Sequence, residues 1–330
     1  MARSNALEPD VSPVLAGMAF PNLFIVGAPR CGTTSLYSYL GQHEQIEMSP
    51  QKEAGFLHFA NGRPDFDEMA ARNGASLKSE SIARYRRAER RSVIDETEYL
   101  KLWKVDSRSP VRGEATPTYL LDPSVPGHLR NRWPESRIIV ILRNPVDRAY
   151  SEYLQSIRLG VERHSTFEEA IAAEPVDVDD FWWGARKYIR SGFYARHLRR
   201  FLDVWPREHV KVFFHEQLIQ DVEGLLRDCF RFLEIDPRAR IDSSTRYKSG
   251  FVPAPSPLVR VAQSESAIKR LVRTSVPAAT RRILYHKIMS RRQIAPPPLT
   301  PSTRSRLMAG FRNDIKGLQE IVGRDLRGWM

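Results

Sequence analysis

The residues of this chain that are spaced for chemistry stand at the ends of apolar runs. Gly27-Ala28-Pro29-Arg30-Cys31-Gly32-Thr33-Thr34 carries two glycines with four residues between them. That is the GxxxxG spacing of a loop whose backbone N–H groups, with the following helix N-terminus, converge on a phosphate. A nucleoside-triphosphate loop of this spacing continues with a lysine that reaches the terminal phosphates and a hydroxyl that holds Mg²⁺. Here Thr33 stands where the lysine would be, and the cation has moved inside the loop as Arg30. The exchange disfavours a P-loop kinase or ATPase and points to a phosphate neutralised by the protein without a metal. An ordinary glycine turn is the bland alternative, and a second motif argues against it. Arg143-Asn144-Pro145 closes a run of isoleucine and valine, and Ser151 follows Arg143 by eight residues. An arginine leaving a strand and a serine two helical turns on can point back to one phosphate at the carboxyl edge of an open α/β sheet. Separately, they would read as a solvated arginine and a serine bonded to its own helix.

The elements that must position these groups are legible from hydrophobic pattern. Leu23-Phe24-Ile25-Val26 is a short continuous apolar run that gives way to the glycine loop, and Leu36, Tyr37 and Leu40 then recur at helical spacing up to a stop at Gly41. Arg137-Ile138-Ile139-Val140-Ile141-Leu142 predicts a second buried strand, followed by a helix from near Val146 with Asp147 in its first turn. Val210-Lys211-Val212-Phe213-Phe214 predicts a third, followed by a helix through Leu225, Leu226, Cys229, Phe230 and Leu233. Buried strands alternating with helices imply a parallel sheet covered on both faces. The expected fold is therefore a single α/β domain, a central parallel β-sheet flanked by helices, of the P-loop nucleotide-binding type. Residues 1–21 read as an arm and 22–330 as the domain. Within it, 61–104 reads as a charged insertion with helical content around 79–91, 250–298 as a basic, proline-containing loop with helices, and 300–330 as a closing helix.

Composition narrows the class. The chain has 330 residues, 42% of them hydrophobic and 27% charged, which is ordinary for a folded globular domain. No apolar run approaches the ~20 residues of a bilayer span. Cys31 and Cys229 are the only cysteines, too few for a disulfide framework, and no charged-then-apolar leader opens the chain, so a reducing cytoplasm is the expected home. A net charge of +12 points to acidic partners. The basic residues Lys269, Arg270, Arg273, Arg281, Arg282, Lys287, Arg291 and Arg292 raise two further readings, a nucleic-acid binder and peripheral contact with an anionic membrane surface. No nucleic-acid motif accompanies them, and a phosphate-rich ligand already explains a basic cleft.

The stretch Phe24 to Leu36 resembles the 5′-phosphosulfate loop of the sulfotransferases that use 3′-phosphoadenosine 5′-phosphosulfate (PAPS). Arg137 to Ser156 resembles that family's strand, turn and helix around the 3′-phosphate, and Arg246-Tyr247-Lys248-Ser249-Gly250-Phe251 its later basic loop over the nucleotide. The likeness runs from about residue 22 to 253 and resumes in the C-terminal helix. Gly113-Glu114-Ala115-Thr116-Pro117-Thr118-Tyr119 is similar to a segment of the branch that modifies carbohydrates. The resemblance implies transfer of a sulfuryl group from PAPS, with no metal, to a hydroxyl of a saccharide, glycolipid or other small metabolite. It implies donor contacts from Arg30, Cys31, Gly32, Thr33, Thr34, Ser35, Arg143, Ser151, Lys248 and Gly250, although no partner motif makes Cys31 a nucleophile and its side chain reads as loop packing.

For the acceptor proton, Gln51-Lys52-Glu53-Ala54-Gly55-Phe56-Leu57 resembles the stretch that carries a glutamate base in the heparan-sulfate-type enzymes. By that likeness Glu53 takes the proton while Arg30 meets the charge on the departing phosphate. Two departures stand out. Gly55 occupies the place of a histidine common in relatives, and Ala115 that of a lysine. His58, three residues on, is the alternative base, and an ion pair of Glu53 with Lys52 is the bland reading of the glutamate. Phe181-Trp182-Trp183 with Arg186, Lys187 and Tyr188 reads either as an acceptor wall or as core.

Overall fold

The computed structural model describes residues 19–60, 62, 89–104, 108–159, 162, 164–174, 187–245, 252–253, 280, 293–294, 296 and 298–330. In chain order they form β1 (Leu23–Gly27), α1 (Thr33–Leu40), β2 (Ile46–Met48), α2 (Glu96–Leu100), β3 (Val111–Ala115), α3 (Val125–Arg132), β4 (Arg137–Leu142) and α4 (Pro145–Arg158). They continue with α5 (Phe167–Ala172), α6 (Tyr194–Leu202), β5 (Val210–Phe214), α7 (His215–Gln220), α8 (Val222–Phe232), a short antiparallel pair β6 (Val252–Pro253) and β7 (Gln293–Ile294), and α9 (Pro301–Val322).

Five strands make one parallel sheet in the order β2-β3-β1-β4-β5. β1 is apolar and wholly buried, and β4 is apolar and buried after Arg137, because helices cover both faces of the sheet. The chain leaves β1 for β2 at one edge, returns through β3 beside β1 and then crosses to β4 on the other side, and this reversal opens a crevice at the carboxyl edge, where ligands of open α/β sheets bind. The register sets what meets there. Ile25 lies level with Ile139, and the Ala28 amide donates to the Ile141 carbonyl at 2.8 Å. The glycine loop is thereby anchored beside the end of β4. Among the described residues no helix is long and apolar enough to cross a membrane.

The sheet order contains two strands that hydrophobic pattern does not show. β2 is three residues long, and β3 carries Arg112, Gly113 and Glu114. The predicted helix after β5 is two helices, α7 and α8, separated by Asp221, whose carboxylate caps α8 at Gly224 N. Most of the predicted insertion and the predicted helix around 79–91 lie outside the described residues. Its last part belongs to the core: Tyr99 stacks on Phe56 at 4.4 Å between ring centroids, and Trp103 is buried against it. At the other end, α9 starts at a Thr300 cap with Pro301 in its first turn and ends at Gly323 in the left-handed conformation. Thr303, Leu307, Phe311, Ile315 and Leu318 form its buried stripe. Leu326 lies past that cap, in the closing turn rather than in the helix.

Candidate active site

The glycine loop folds as its residue types dictate. Gly32 has φ +103°, a conformation that side-chain-bearing residues rarely adopt, and Arg30 is also left-handed at φ +68°. Gly32 precedes α1 and has no side chain to cap the amides of its first turn. These N–H groups have no partner within the helix, so a phosphate is the natural acceptor for them. Cys31 points the other way. Its thiol is fully buried, lies 3.7 Å from the Tyr194 hydroxyl, and is pushed up to about 11 chiefly by burial. The Cys31 side chain packs the underside of the loop, the place the sequence reading gave it.

Arg30, Gly32, Thr33, Thr34, Ser35, Arg143, Ser151 and Glu53 line one cleft of about 510 Å³. The structure thus brings together residues spread over more than a hundred positions. Arg30 Nε donates to Ser151 Oγ at 3.3 Å, tying the loop to α4. Burial lowers the Arg30 pKa, Arg143 and Arg148 lower it further, and Glu152 opposes them. Arg158, the last residue of α4, is depressed in pKa by burial and by Arg30. Guanidinium groups crowded into a part-buried cleft repel one another, and an anion between them relieves that repulsion. The helix terminus contributes differently in the second motif. Asn144 Oδ1 accepts from the amides of Val146 at 3.0 Å and Asp147 at 3.3 Å. With those amides already capped, α4 offers a side-chain face instead: Ser151, Gln155 and Leu159, at successive turns, all line the cleft.

The opposite wall is the segment around Glu53. Its amide donates to the Ala115 carbonyl at 3.0 Å, and its φ of +62° turns the side chain out of the β3 edge. Lys52 Nζ donates to Glu53 Oε1 at 2.7 Å, and the Glu53 side chain is 62% exposed. A buried polar floor fixes this wall. Gly55 N donates to Thr116 Oγ1 at 3.3 Å and Leu57 N to the Tyr119 hydroxyl at 3.1 Å. Beneath them the Glu114 carboxyl, fully buried and raised in pKa by burial, accepts from Tyr99 and Thr116. The segment resembling the carbohydrate branch therefore acts as a clamp.

His58 does not reach the cleft. Nδ1 lies 2.7 Å from Asp122 Oδ2 and Nε2 lies 2.9 Å from Thr118 Oγ1, in a buried pocket that lowers its pKa despite Asp122. The neutral ring donates to the carboxylate and accepts from the hydroxyl of Thr118, a residue that lines the cleft. As a direct base His58 is excluded by position, and it serves to hold Thr118. Sequence reasoning missed Thr118, Gln155 and His215 as cleft residues. Lys248 and Gly250 lie outside the described residues, as do Phe181, Trp182, Trp183 and Arg186 and the basic cluster from Lys269 to Arg292. Lys187 and Tyr188, the rest of the predicted acceptor wall, are buried.

Comparison with known proteins adds an independent line. The chain is 25% identical over 264 residues to carbohydrate sulfotransferase 15 of Rattus norvegicus, covering 69% of this chain and 46% of that one. It is 26% identical over 219 residues to heparan sulfate glucosamine 3-O-sulfotransferase 6 of Mus musculus, covering 64% and 52%. The chain thus spans about half the length of the curated relatives it matches. A solved sulfotransferase from Alicyclobacillus acidocaldarius superposes with a TM-score of 0.67 at 27% identity, covering 94% of this chain and 99% of that one. Residues 21–238, which contain the glycine loop, the Glu53 wall and the Arg143 to Ser151 motif, match the pattern described as "Sulfotransferase family", and the chain belongs to that family.

Proposed function

We propose that this chain moves a sulfuryl group from PAPS to a hydroxyl of a saccharide or glycolipid acceptor. One observation carries the reading: Arg30, Arg143, Ser151, the first turn of α1 and Glu53 line a single cleft, and β3 and β4, whose ends bring Glu53 and Arg143, flank β1. The cleft's ~510 Å³ lies within the ~300–1,000 Å³ of small-ligand sites. Its donor set, guanidinium groups, hydroxyls and uncapped amides, fits the phosphates of a nucleotide. The likeness to carbohydrate and heparan sulfate sulfotransferases supports a saccharide acceptor.

Bound PAPS supplies a sulfuryl group on a phosphate leaving group. The protein's part is positioning and charge. The first-turn amides, with Thr33, Thr34 and Ser35, hold the 5′-phosphate, and Arg143 with Ser151 holds the 3′-phosphate. Arg30 sits inside the loop, where it meets negative charge that grows on the departing phosphate. Across the cleft, Glu53 accepts the acceptor hydroxyl's proton. Lys52 occupies its Oε1, leaving Oε2 for that proton. Thr118, its own proton given to His58, offers only lone pairs to the cleft and so accepts hydrogen bonds from an acceptor rich in hydroxyls.

Transfer of label from ³⁵S-PAPS to a pool of oligosaccharides and glycolipids tests the reading. Label recovered on a saccharide supports it, and label that stays on the donor with every saccharide sinks the acceptor class. In that assay Glu53→Gln is expected to lower turnover by about 10²- to 10⁴-fold, the usual worth of a positioned general base. Binding of adenosine 3′,5′-bisphosphate, the spent donor, is expected to stay unchanged in the variant. A Glu53→Gln enzyme with full turnover would remove the glutamate from this role.

A further inference from the structure

β4 and β5 run side by side in parallel with Leu142 level with Phe214. The residues that come next, Arg143 and His215, therefore leave adjacent strands at the same height, and both line the cleft. His215 also packs on the glycine loop, since a Cβ at Gly32 would stand 3.2 Å from its Cδ2. The loop, the end of β4 and the end of β5 thus meet around this imidazole. Its charged surroundings come from three elements. Arg143 follows β4, Arg30 lies in the loop, and Asp147 lies in the first turn of α4, where it is already bound by Arg304 of α9. On α7 itself, Glu216 accepts from Trp329 Nε1. Burial, and then Arg143, push the His215 pKa down to about 4, with Asp147 opposing. In the open cleft at neutral pH the ring carries no charge.

We propose that His215 is a phosphate ligand of this cleft, neutral while the cleft is open and protonated once a phosphate group lies between it and Arg143. The inference rests on the donor reading above and adds to it a proton. A phosphate dianion offsets the repulsion from Arg143 and turns an imidazole N–H into a charge-assisted donor. The complex then holds more protons than the free protein between the two values of the His215 pKa. The sign follows by linkage: uptake is largest in that window, and affinity falls as pH rises through the bound value.

The test is calorimetric titration of the full chain with adenosine 3′,5′-bisphosphate at pH 6.5 in PIPES and in Bis-Tris, whose ionisation heats differ. The nucleotide's own phosphate titrates near pH 6, so the readout is the difference between wild type and His215→Gln. Wild type is expected to take up about one proton more than the variant. His215→Gln is expected to bind about tenfold more weakly at pH 6, with the gap closing by pH 8. His215→Arg, whose charge is fixed, is expected to restore affinity without the extra proton, and it serves if the glutamine variant folds poorly. Equal proton counts in wild type and both variants would overturn the role of His215 and leave the donor site standing. No binding of the nucleotide by wild type would overturn the donor reading together with it.

Discussion

Arg143→Ala is expected to weaken adenosine 3′,5′-bisphosphate by about 10- to 100-fold, the worth of a charge-assisted contact or two. Arg30→Ala is expected to lower turnover by a further ~10²–10³-fold beyond its effect on donor binding. On the proposed reading the two arginines share a cleft but not a task. Arg143 leaves the end of β4 and would serve the nucleotide whether or not transfer is under way. Arg30 sits within the loop, held to Ser151 at 3.3 Å, in an environment that opposes its charge through burial and through Arg143 and Arg148. A cation so placed is stabilised most when negative charge is greatest, which is when the phosphate departs. Calorimetry of both variants with the spent donor, beside single-turnover rates with ³⁵S-PAPS, separates the effects. Equal losses of binding and rate in both variants would show that the division of labour is wrong.

Gly32→Ala is expected to cost about 1–3 kcal/mol of stability and to reduce nucleotide affinity at least tenfold. At φ +103° any side chain is strained, and a Cβ there would lie 2.6 Å from Leu218 Cδ2. Relief requires the loop to shift, and a shifted loop no longer aims the first amides of α1 at one point. Gly310→Ala is the internal comparison. Gly310 lies on the exposed face of α9, nothing stands within 4 Å of a Cβ built there, and the change is expected to stabilise by ~0.5–1 kcal/mol. Thermal melts with and without the nucleotide read both. An unchanged melting point and unchanged affinity for Gly32→Ala would mean that the loop tolerates a conformation other than the one described.

β1, β4 and β5 were legible in the sequence and β2 and β3 were not, for a physical reason. β1 and β4 are buried, so past Arg137 their residues are apolar in unbroken runs, and β5 breaks its apolar run only at Lys211. β2 is too short to show a pattern, and β3 buries Glu114, a residue type that reads as solvent-facing. The hydroxyls of Tyr99, Thr116 and Tyr119 and the Gly55 amide, Tyr99 coming from a segment taken for an insertion, explain how that carboxyl is accommodated. The site divides the same way. Arg30, Arg143 and Ser151 stand in local motifs with their own spacing, whereas His215 and Thr118 become cleft residues through tertiary neighbours. His215 meets Arg143 only because β4 and β5 pair in register, and Thr118 is set by His58 and Asp122 across a buried turn. His58 illustrates the limit most directly: its place in the sequence suits a base, and its place in the fold is behind the cleft wall.

On the proposed reading the cleft holds a nucleotide bearing 3′- and 5′-phosphates, without a metal. Calorimetric titration of the protein with adenosine 3′,5′-bisphosphate, with and without EDTA and with ATP as comparator, tests it most directly. Binding is expected to be unchanged by EDTA, tighter than binding of ATP, and weakened by Arg143→Ala. Absence of binding, or a magnesium-dependent preference for ATP, would contradict that reading.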